Sequence, residues 1–374
     1  MKKIVFVINV DWYFNLHWLD RALFFKRNGY HVYIISDFKT SGLIDKMSGF
    51  GFHCTSIPMA RSSINIFFEL GYIVSLFSAL KEIKPDLIHA VTIKPNIYSG
   101  LINKFFLNQP IVYSITGLGA VFSSKKNKFY FLKKIVVSLY NIISLPNCRF
   151  IFENGEDLET FTHLGILNHN GITIKGAGID LTRFSPSLPP GKKIVLFAAR
   201  LLKDKGLSCL IEAKQLLESR GIVFTLNVAG IIDDDVSSAI PLKQVEYWAK
   251  NGDINWLGNI KDMPTLIKES DIVCLPTTYG EGVPRILIEA ASCQRAIITT
   301  DVVGCREIVS HNINGLLAQP GNVVSLANCL DYLLDNDKKA LEFGLQGRKK
   351  VEQEFSQEIV FEKTLQVYHE LLGE

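Results

Sequence analysis

The segment Gly280-Glu281-Gly282-Val283-Pro284-Arg285-Ile286-Leu287-Ile288-Glu289 sets two carboxylates on either side of an expected helix start. Pro284 suits the first helical position, where its missing N–H costs nothing and its φ is already helical. Glu281 then lies in the loop ahead of the helix, and Glu289 about five residues, or roughly 7 to 8 Å, inside it. Gly282 leaves room for a ligand to approach the backbone, and Val283 follows it. N–H groups of the first turn and the positive end of the helix dipole favour an anion there. Carboxylates flanking such a helix start can hold a molecule with hydroxyls on both sides of a phosphate, which is the layout of a nucleotide sugar. A Pro-initiated amphipathic helix with two surface glutamates has the same spelling, so the segment needs support from elsewhere.

Support comes from residues 193–199 (KIVLFAA), a nearly continuous apolar run of the kind that forms a parallel strand buried on both faces. It leads into Arg200-Leu201-Leu202-Lys203-Asp204-Lys205-Gly206 and then a helical pattern over 207–219. Arg200 and Lys205 thus stand at the carboxyl end of a strand, where open α/β sheets bind ligands. A departing pyrophosphate gains negative charge as its bond to a sugar breaks, and fixed cations stabilise it without a metal.

With these residues the chain resembles the retaining glycosyltransferases of family 4, which have the GT-B fold. Glu281 and Glu289 match the family's paired glutamates, with seven residues between them; Arg200 and Lys205 match its diphosphate-binding Arg and Lys. Trp256-Leu257-Gly258, Gly304-Cys305-Arg306-Glu307 and Asn314-Gly315-Leu316 match as well, and 176–184 (GAGIDLTRF) is similar to the inter-domain segment. Residues 116–122 (TGLGAVF) and 92–100 (TIKPNIYSG) resemble the branch that builds bacterial surface glycans on a polyprenyl diphosphate carrier.

The resemblance implies an α/β fold of two Rossmann-like, doubly wound parallel-sheet domains facing across a cleft, whose closing would exclude water. It implies a UDP-sugar donor in the second domain, with no further cofactor and no metal, and a lipid-linked acceptor in the first. Glu289 would bind the ribose hydroxyls and Glu281 those of the donor sugar. Backbone N–H groups around Gly282 and Val283 would meet the sugar or phosphates, and Arg200 and Lys205 the diphosphate. The family retains the donor's anomeric configuration, so no covalent nucleophile is named. Family members often carry a His before the first glycine of the TGLG turn; here Thr116 precedes Gly117, a departure from the family's pattern that puts that histidine's role in doubt. Residues 9–19 (NVDWYFNLHWL) replace a glycine-rich turn with aromatic bulk suited to a lipid-linked acceptor. His17 matches a histidine in related sequences, with a packed core role as the alternative. Lys94 and Arg61 are candidate cations for the acceptor's diphosphate, with plain surface charges as the alternative.

At 374 residues the chain is long for one core. The expected domains are 1–175 and 193–355, joined by a linker over 176–192 in which Ser185 to Gly191 holds three of the thirteen prolines; a helix over 356–374 is expected to return to the first domain. Expected strands are 4–10, 31–36, 86–91, 111–114 and 149–152, then 193–199, 223–230, 271–276 and 296–300; they alternate with helices expected near 16–28, 64–83, 96–106, 129–143 and 156–163, then 205–219, 238–250, 284–293, 322–335 and 338–352. Seven scattered cysteines without a CxxC pair speak against a disulfide frame or zinc site. Asp233-Asp234-Asp235 spells a possible metal site but reads as a solvated acidic loop. No uninterrupted apolar span of about 18 residues occurs, since Glu69 interrupts 64–80. These features fit a cytoplasmic protein peripheral to the inner face of the plasma membrane.

Residues 1–175 carry 19 basic against 11 acidic side chains, whereas 176–374 carry 21 against 26. No Asp or Glu occurs over 87–152, a stretch with eight basic residues, five of them Lys125, Lys126, Lys128, Lys133 and Lys134 beside Phe122, Tyr130 and Phe131. Cations near an anionic leaflet contribute about 1 kcal/mol each, and aromatics favour the interface. No nucleic-acid motif accompanies the patch. Competing readings are a sugar-nucleotide epimerase, a soluble-acceptor transferase and a non-catalytic sugar-nucleotide scaffold. Replacing Lys125, Lys126 and Lys128 with Glu is expected to weaken binding to anionic liposomes; unchanged co-sedimentation would defeat the membrane face.

Overall fold

A parallel strand covered by helices on both faces has no wet side, so its sequence is apolar throughout instead of alternating. The computed structural model describes residues 1–59, 65–123, 127–233, 238–280 and 282–374 and follows that rule in two compact units. The first is Met1–Ala177 with Val360–Glu374, the second Gly178–Ile359.

The first unit holds β1 (Lys3–Ile8), β2 (His31–Ser36), β3 (His53–Ser56), β4 (Leu87–Val91), β5 (Ile111–Ile115), β6 (Cys148–Phe152) and β7 (Gly171–Thr173). Their order is β3-β2-β1-β4-β5-β6-β7, and every pair is parallel. Successive side chains alternate between the faces. Ile4, Phe6 and Ile8 of β1 join one core with Ala22 and Phe25 of the helix Leu19–Arg27 and with Phe361, Leu365 and Tyr368 of the helix Gln357–Leu372. Val5 and Val7 join the other core, with Leu76 and Leu80 of the helix Ile66–Ile83, Ile97 of the helix Ile93–Ile102 and Tyr140 of the helix Asn127–Ile143.

The second unit holds β8 (Ile194–Ala198), β9 (Thr225–Ala229), β10 (Asn255–Gly258), β11 (Ile272–Leu275), β12 (Ala296–Thr300) and β13 (Leu316–Ala318), all parallel, in the order β10-β9-β8-β11-β12-β13. In both sheets the strand order reverses once, between β1 and β4 and between β8 and β11. At such a switch point the loops leave the strand ends on opposite sides and open a space for ligand.

Several elements differ from the sequence expectation. The strand expected over 4–10 stops at Ile8, and the helix expected over 16–28 is two, Asp11–His17 and Leu19–Arg27, broken at Trp18 (φ −121°, ψ −16°). The helix expected over 96–106 begins at Ile93 and ends in a π-helical turn, Asn103–Leu107. Strands β3, β7, β10 and β13 were not expected: each has only three or four residues, too few for a period to show. Among the described residues no helix is long and apolar enough to cross a membrane.

One buried polar cluster fastens the helix Gln357–Leu372 to the first sheet. His89 of β4, fully buried, contacts the Tyr368 hydroxyl through Nδ1 and the Ser114 Oγ of β5 through Nε2 at 2.7 Å. A neutral imidazole donates on one side and accepts on the other, and both hydroxyls serve either role. Burial, reinforced by the nearby Arg21 cation, pushes the His89 pKa well below its ordinary value of 6.5. Below that value the unfolded chain binds a proton that native His89 refuses. Stability is therefore complete above it and falls as pH drops through it, by up to about 1.4 kcal/mol per pH unit from this group. Denaturant unfolding between about pH 7.5 and 5.5 should show a steeper loss for the native protein than for His89→Gln; equal slopes would remove His89 as the cause.

Candidate functional site

The carboxyl ends of β8 and β11, neighbours at the second sheet's switch point, carry the residues singled out by sequence. Arg200 lies two residues past β8, and its Nη1 donates to Asp233 Oδ2 at 2.8 Å. Asp233, expected in a solvated acidic loop, is instead partly buried as the ion-pair partner of Arg200. Asp234 and Asp235 lie outside the described residues. Lys205 ends a short 3₁₀ turn, Lys203–Lys205, and is 7% exposed, with its Nζ 5.4 Å from the centre of the Tyr279 ring. A cation over an aromatic face is attracted by the ring quadrupole. The carbonyl of Asp204, inside that turn, accepts from the Thr278 N–H at 2.8 Å and from the Thr277 and Thr278 hydroxyls at 3.2 Å. The cation-bearing loop after β8 is thus tied to the loop after β11, which leads to the glutamate helix.

That helix is Arg285–Ser292, and Pro284 is its cap, not its first residue (φ −60°, ψ 116°). Proline fixes φ but not ψ, so it can stand extended just before a helix. Glu289 is buried, and its Oε1 accepts from Arg285 Nε at 2.8 Å, one turn earlier on the same face. Gly282 and Val283 are buried beside the helix start. Glu281 lies outside the described residues.

The first sheet's switch point holds a cavity of about 210 Å³. Asn9 after β1, Thr92 and Lys94 after β4, and Thr116 and Gly117 after β5 line it. Three predicted acceptor residues, Lys94, Thr116 and Gly117, therefore meet. Lys94 Nζ donates to Glu69 Oε1 at 2.6 Å, and Glu69 Oε2 accepts from the Tyr98 hydroxyl. Thr92 has φ 75°, a left-handed conformation for a β-branched residue. Strain of this kind, about 1–3 kcal/mol, gathers at binding and catalytic sites. Sequence reasoning missed Asn9, because it ran the first strand past it; Asn9 Oδ1 is buried with no hydrogen-bond partner among the described residues. Tyr279 and Arg285 were missed too. Their signal was proximity to a strand end and an i, i+4 pairing with Glu289.

His17 is not in the cavity lining. It ends the helix Asp11–His17 with its ring 4.4 Å from that of Tyr13, a packed arrangement. Arg61, Lys125 and Lys126 lie outside the described residues, and Lys128 falls within the helix Asn127–Ile143. On that helix Lys134 lies over the Tyr130 ring at 4.7 Å, and Lys133 over Phe122 at 5.5 Å.

Two Rossmann-like α/β units, each with polar residues at its switch point, define the GT-B class of glycosyltransferases. Residues 179–350 match the family model of glycosyl transferases group 1, and residues 3–145 that of glycosyl transferase 4-like domains. The chain belongs to this glycosyltransferase family. It is 26% identical over 342 residues to the N,N'-diacetylbacillosaminyl-diphospho-undecaprenol alpha-1,3-N-acetylgalactosaminyltransferase of Campylobacter jejuni, covering 87% of this chain and 88% of that protein. It is 25% identical over 328 residues to the capsular polysaccharide biosynthesis glycosyltransferase CapM of Staphylococcus aureus, covering 85% of each. Among solved structures, a glycosyltransferase from Rickettsia africae superposes with a TM-score of 0.79 at 22% identity over 99% of this chain and 98% of that one. HepE of Anabaena, in complex with UDP and glucose, superposes with a TM-score of 0.80 at 17% identity over 99% and 100%. Those two likenesses carry the fold.

Gly206 follows Lys205 at φ 82°, and a Cβ there would lie 2.0 Å from the Pro276 carbonyl oxygen. Gly206→Ala must therefore push the β8 and β11 loops apart while adopting a strained backbone. A loss of more than about 1 kcal/mol is expected, or roughly 2–4 °C or more in melting temperature. An unchanged melting temperature would show that this contact does not hold the two loops together.

Proposed function

We propose that the protein transfers a hexose or N-acetylhexosamine, with retention of configuration, from a UDP-sugar to a polyprenyl-diphosphate-linked glycan in bacterial surface polysaccharide synthesis. The observation that carries the proposal is the junction of the Lys203–Lys205 turn with the Pro276–Tyr279 loop at the switch point, which gathers cations beside the glutamate helix. The lipid-linked acceptor is supported by the Campylobacter relative, whose name is that of a transferase acting on a diphospho-undecaprenol-linked sugar.

In this reading Arg200 and Lys205 neutralise the charge that grows on the β-phosphate as the anomeric carbon–oxygen bond breaks. Glu289, oriented by Arg285, accepts from the ribose hydroxyls, and Glu281 from those of the donor sugar. The acceptor hydroxyl attacks from the face the diphosphate leaves, forming the new glycosidic bond. Its proton passes to the departing phosphate, and UDP is released. Lys94, with Thr116 and Gly117, receives the acceptor's diphosphate in the first unit's cavity. Lys133 and Lys134 face the anionic inner leaflet. Positive side chains serve the role a divalent metal plays elsewhere, so turnover is expected to be undiminished in EDTA.

A panel of UDP-sugars with a polyprenyl-diphosphate-linked acceptor tests the reaction. Arg200→Ala, Lys205→Ala or Glu281→Ala should each lower turnover by about 10²-fold or more. Near-normal turnover in Arg200→Ala or Lys205→Ala rejects their assigned role, and absence of transfer with every donor rejects the activity.

A further inference from the structure

The helix Ile66–Ile83 is apolar on both sides. Tyr72, Leu76 and Leu80 are buried against the sheet. Phe67, Leu70 and Val74, spaced by three and four residues, form an outward stripe flanked by Ile66 and Phe68; Phe67 is 84% exposed and Val74 66%. Farther along the same helix the Phe77 ring packs 4.9 Å from that of Phe106, and Phe105 and Phe106 are exposed on the turn Asn103–Leu107. Tyr130 and Phe131 are exposed on the helix Asn127–Ile143, in the same helical layer. Exposed apolar side chains gathered in this way on a protein surface mark a docking site.

Charge identifies the occupant. Over 87–152 there is no Asp or Glu among eight basic residues. Glu69, the one acidic residue in the first three turns of the helix, has its carboxylate turned to Lys94 and Tyr98 and is 14% exposed. Glu82 lies near the far end of the helix, about 24 Å from Ile66 along the axis. Exposed aromatic and aliphatic side chains amid positive charge match the headgroup–acyl boundary of an anionic bilayer.

We propose that the first half of the helix Ile66–Ile83, with the Phe105–Phe106 turn, is a hydrophobic foot that inserts into an anionic membrane. Glu69 in those same turns fixes Lys94 at the cavity, so insertion brings the cavity to the lipid surface. The foot extends the lipid-acceptor reading but is tested without it. The full chain is co-sedimented with phosphatidylglycerol–phosphatidylcholine vesicles at about 0.1 M and about 0.5 M salt, where screening removes most surface electrostatics. Binding should persist in part at the higher salt. Phe67→Ser/Leu70→Ser/Val74→Ser should weaken partitioning about 10-fold or more at both salts, with the melting temperature and its rise on adding UDP-sugar unchanged. Should the triple variant fold poorly, Phe67→Ser alone should show a smaller loss in the same direction. Vesicle binding equal to that of the unaltered chain overturns the proposal. So does a dimer that the triple variant converts to monomer on size-exclusion chromatography while vesicle binding stays intact, which would assign the face to a second copy. No donor or acceptor is present in the vesicle assay, so loss of the foot leaves sugar transfer standing, and absence of transfer leaves the foot standing.

Discussion

The carbonyl oxygen of Asp204 accepts from one backbone N–H and two threonine hydroxyls on the loop after β11, and the geometry of the second unit's site hangs on that knot. Arg and Lys side chains each carry about 2 kcal/mol of rotamer entropy, so a cation aimed at one place must be held there. The 3₁₀ turn, tied to the loop after β11, fixes the backbone of Lys205, while the Tyr279 ring lies against its ammonium and Asp233 fixes Arg200. Parallel strands place these anchors side by side at one edge of the sheet. A charge cluster assembled in this way needs little rearrangement when an anion arrives.

The two switch points use the same topology for different chemistry. In the second unit, cations and a buried carboxylate crowd the strand ends. In the first, the described strand ends carry small and amide side chains around Lys94, with Thr92 strained and one Asn9 oxygen lacking a partner among the described residues. Both follow from where β1 and β8 sit in their sheets.

Much of this was legible in the sequence because buried parallel strands have a strong signature. The apolar runs at 31–36, 111–114, 193–199 and 296–300 fell within a residue or two of the observed strands. Short edge strands did not show, since His53–Ser56 and Gly171–Thr173 are brief and only half-buried. Among candidate site residues, Arg200, Lys205 and Glu289 were visible through their spacing from strand and helix ends. Their partners were not: Asp233 looked like a solvated charge because contact across β8 and β9 is a tertiary fact. Glu69 read as an interruption in an apolar stretch, yet it is the group that answers Lys94 and Tyr98 from a neighbouring helix.

The helix Gln357–Leu372 supplies Phe361, Leu365 and Tyr368 to a core whose other members come from the first 177 residues. In chain order, the whole second unit stands between the two parts of the first. A ribosome therefore delivers everything the Gly178–Ile359 body needs before it delivers the last piece of the earlier sheet. Until that piece arrives, Phe24, Phe25 and His89 lack their cover, and the nascent first unit presents an open greasy face to chaperones. Synthesis order thus makes the amino-terminal body the last to mature.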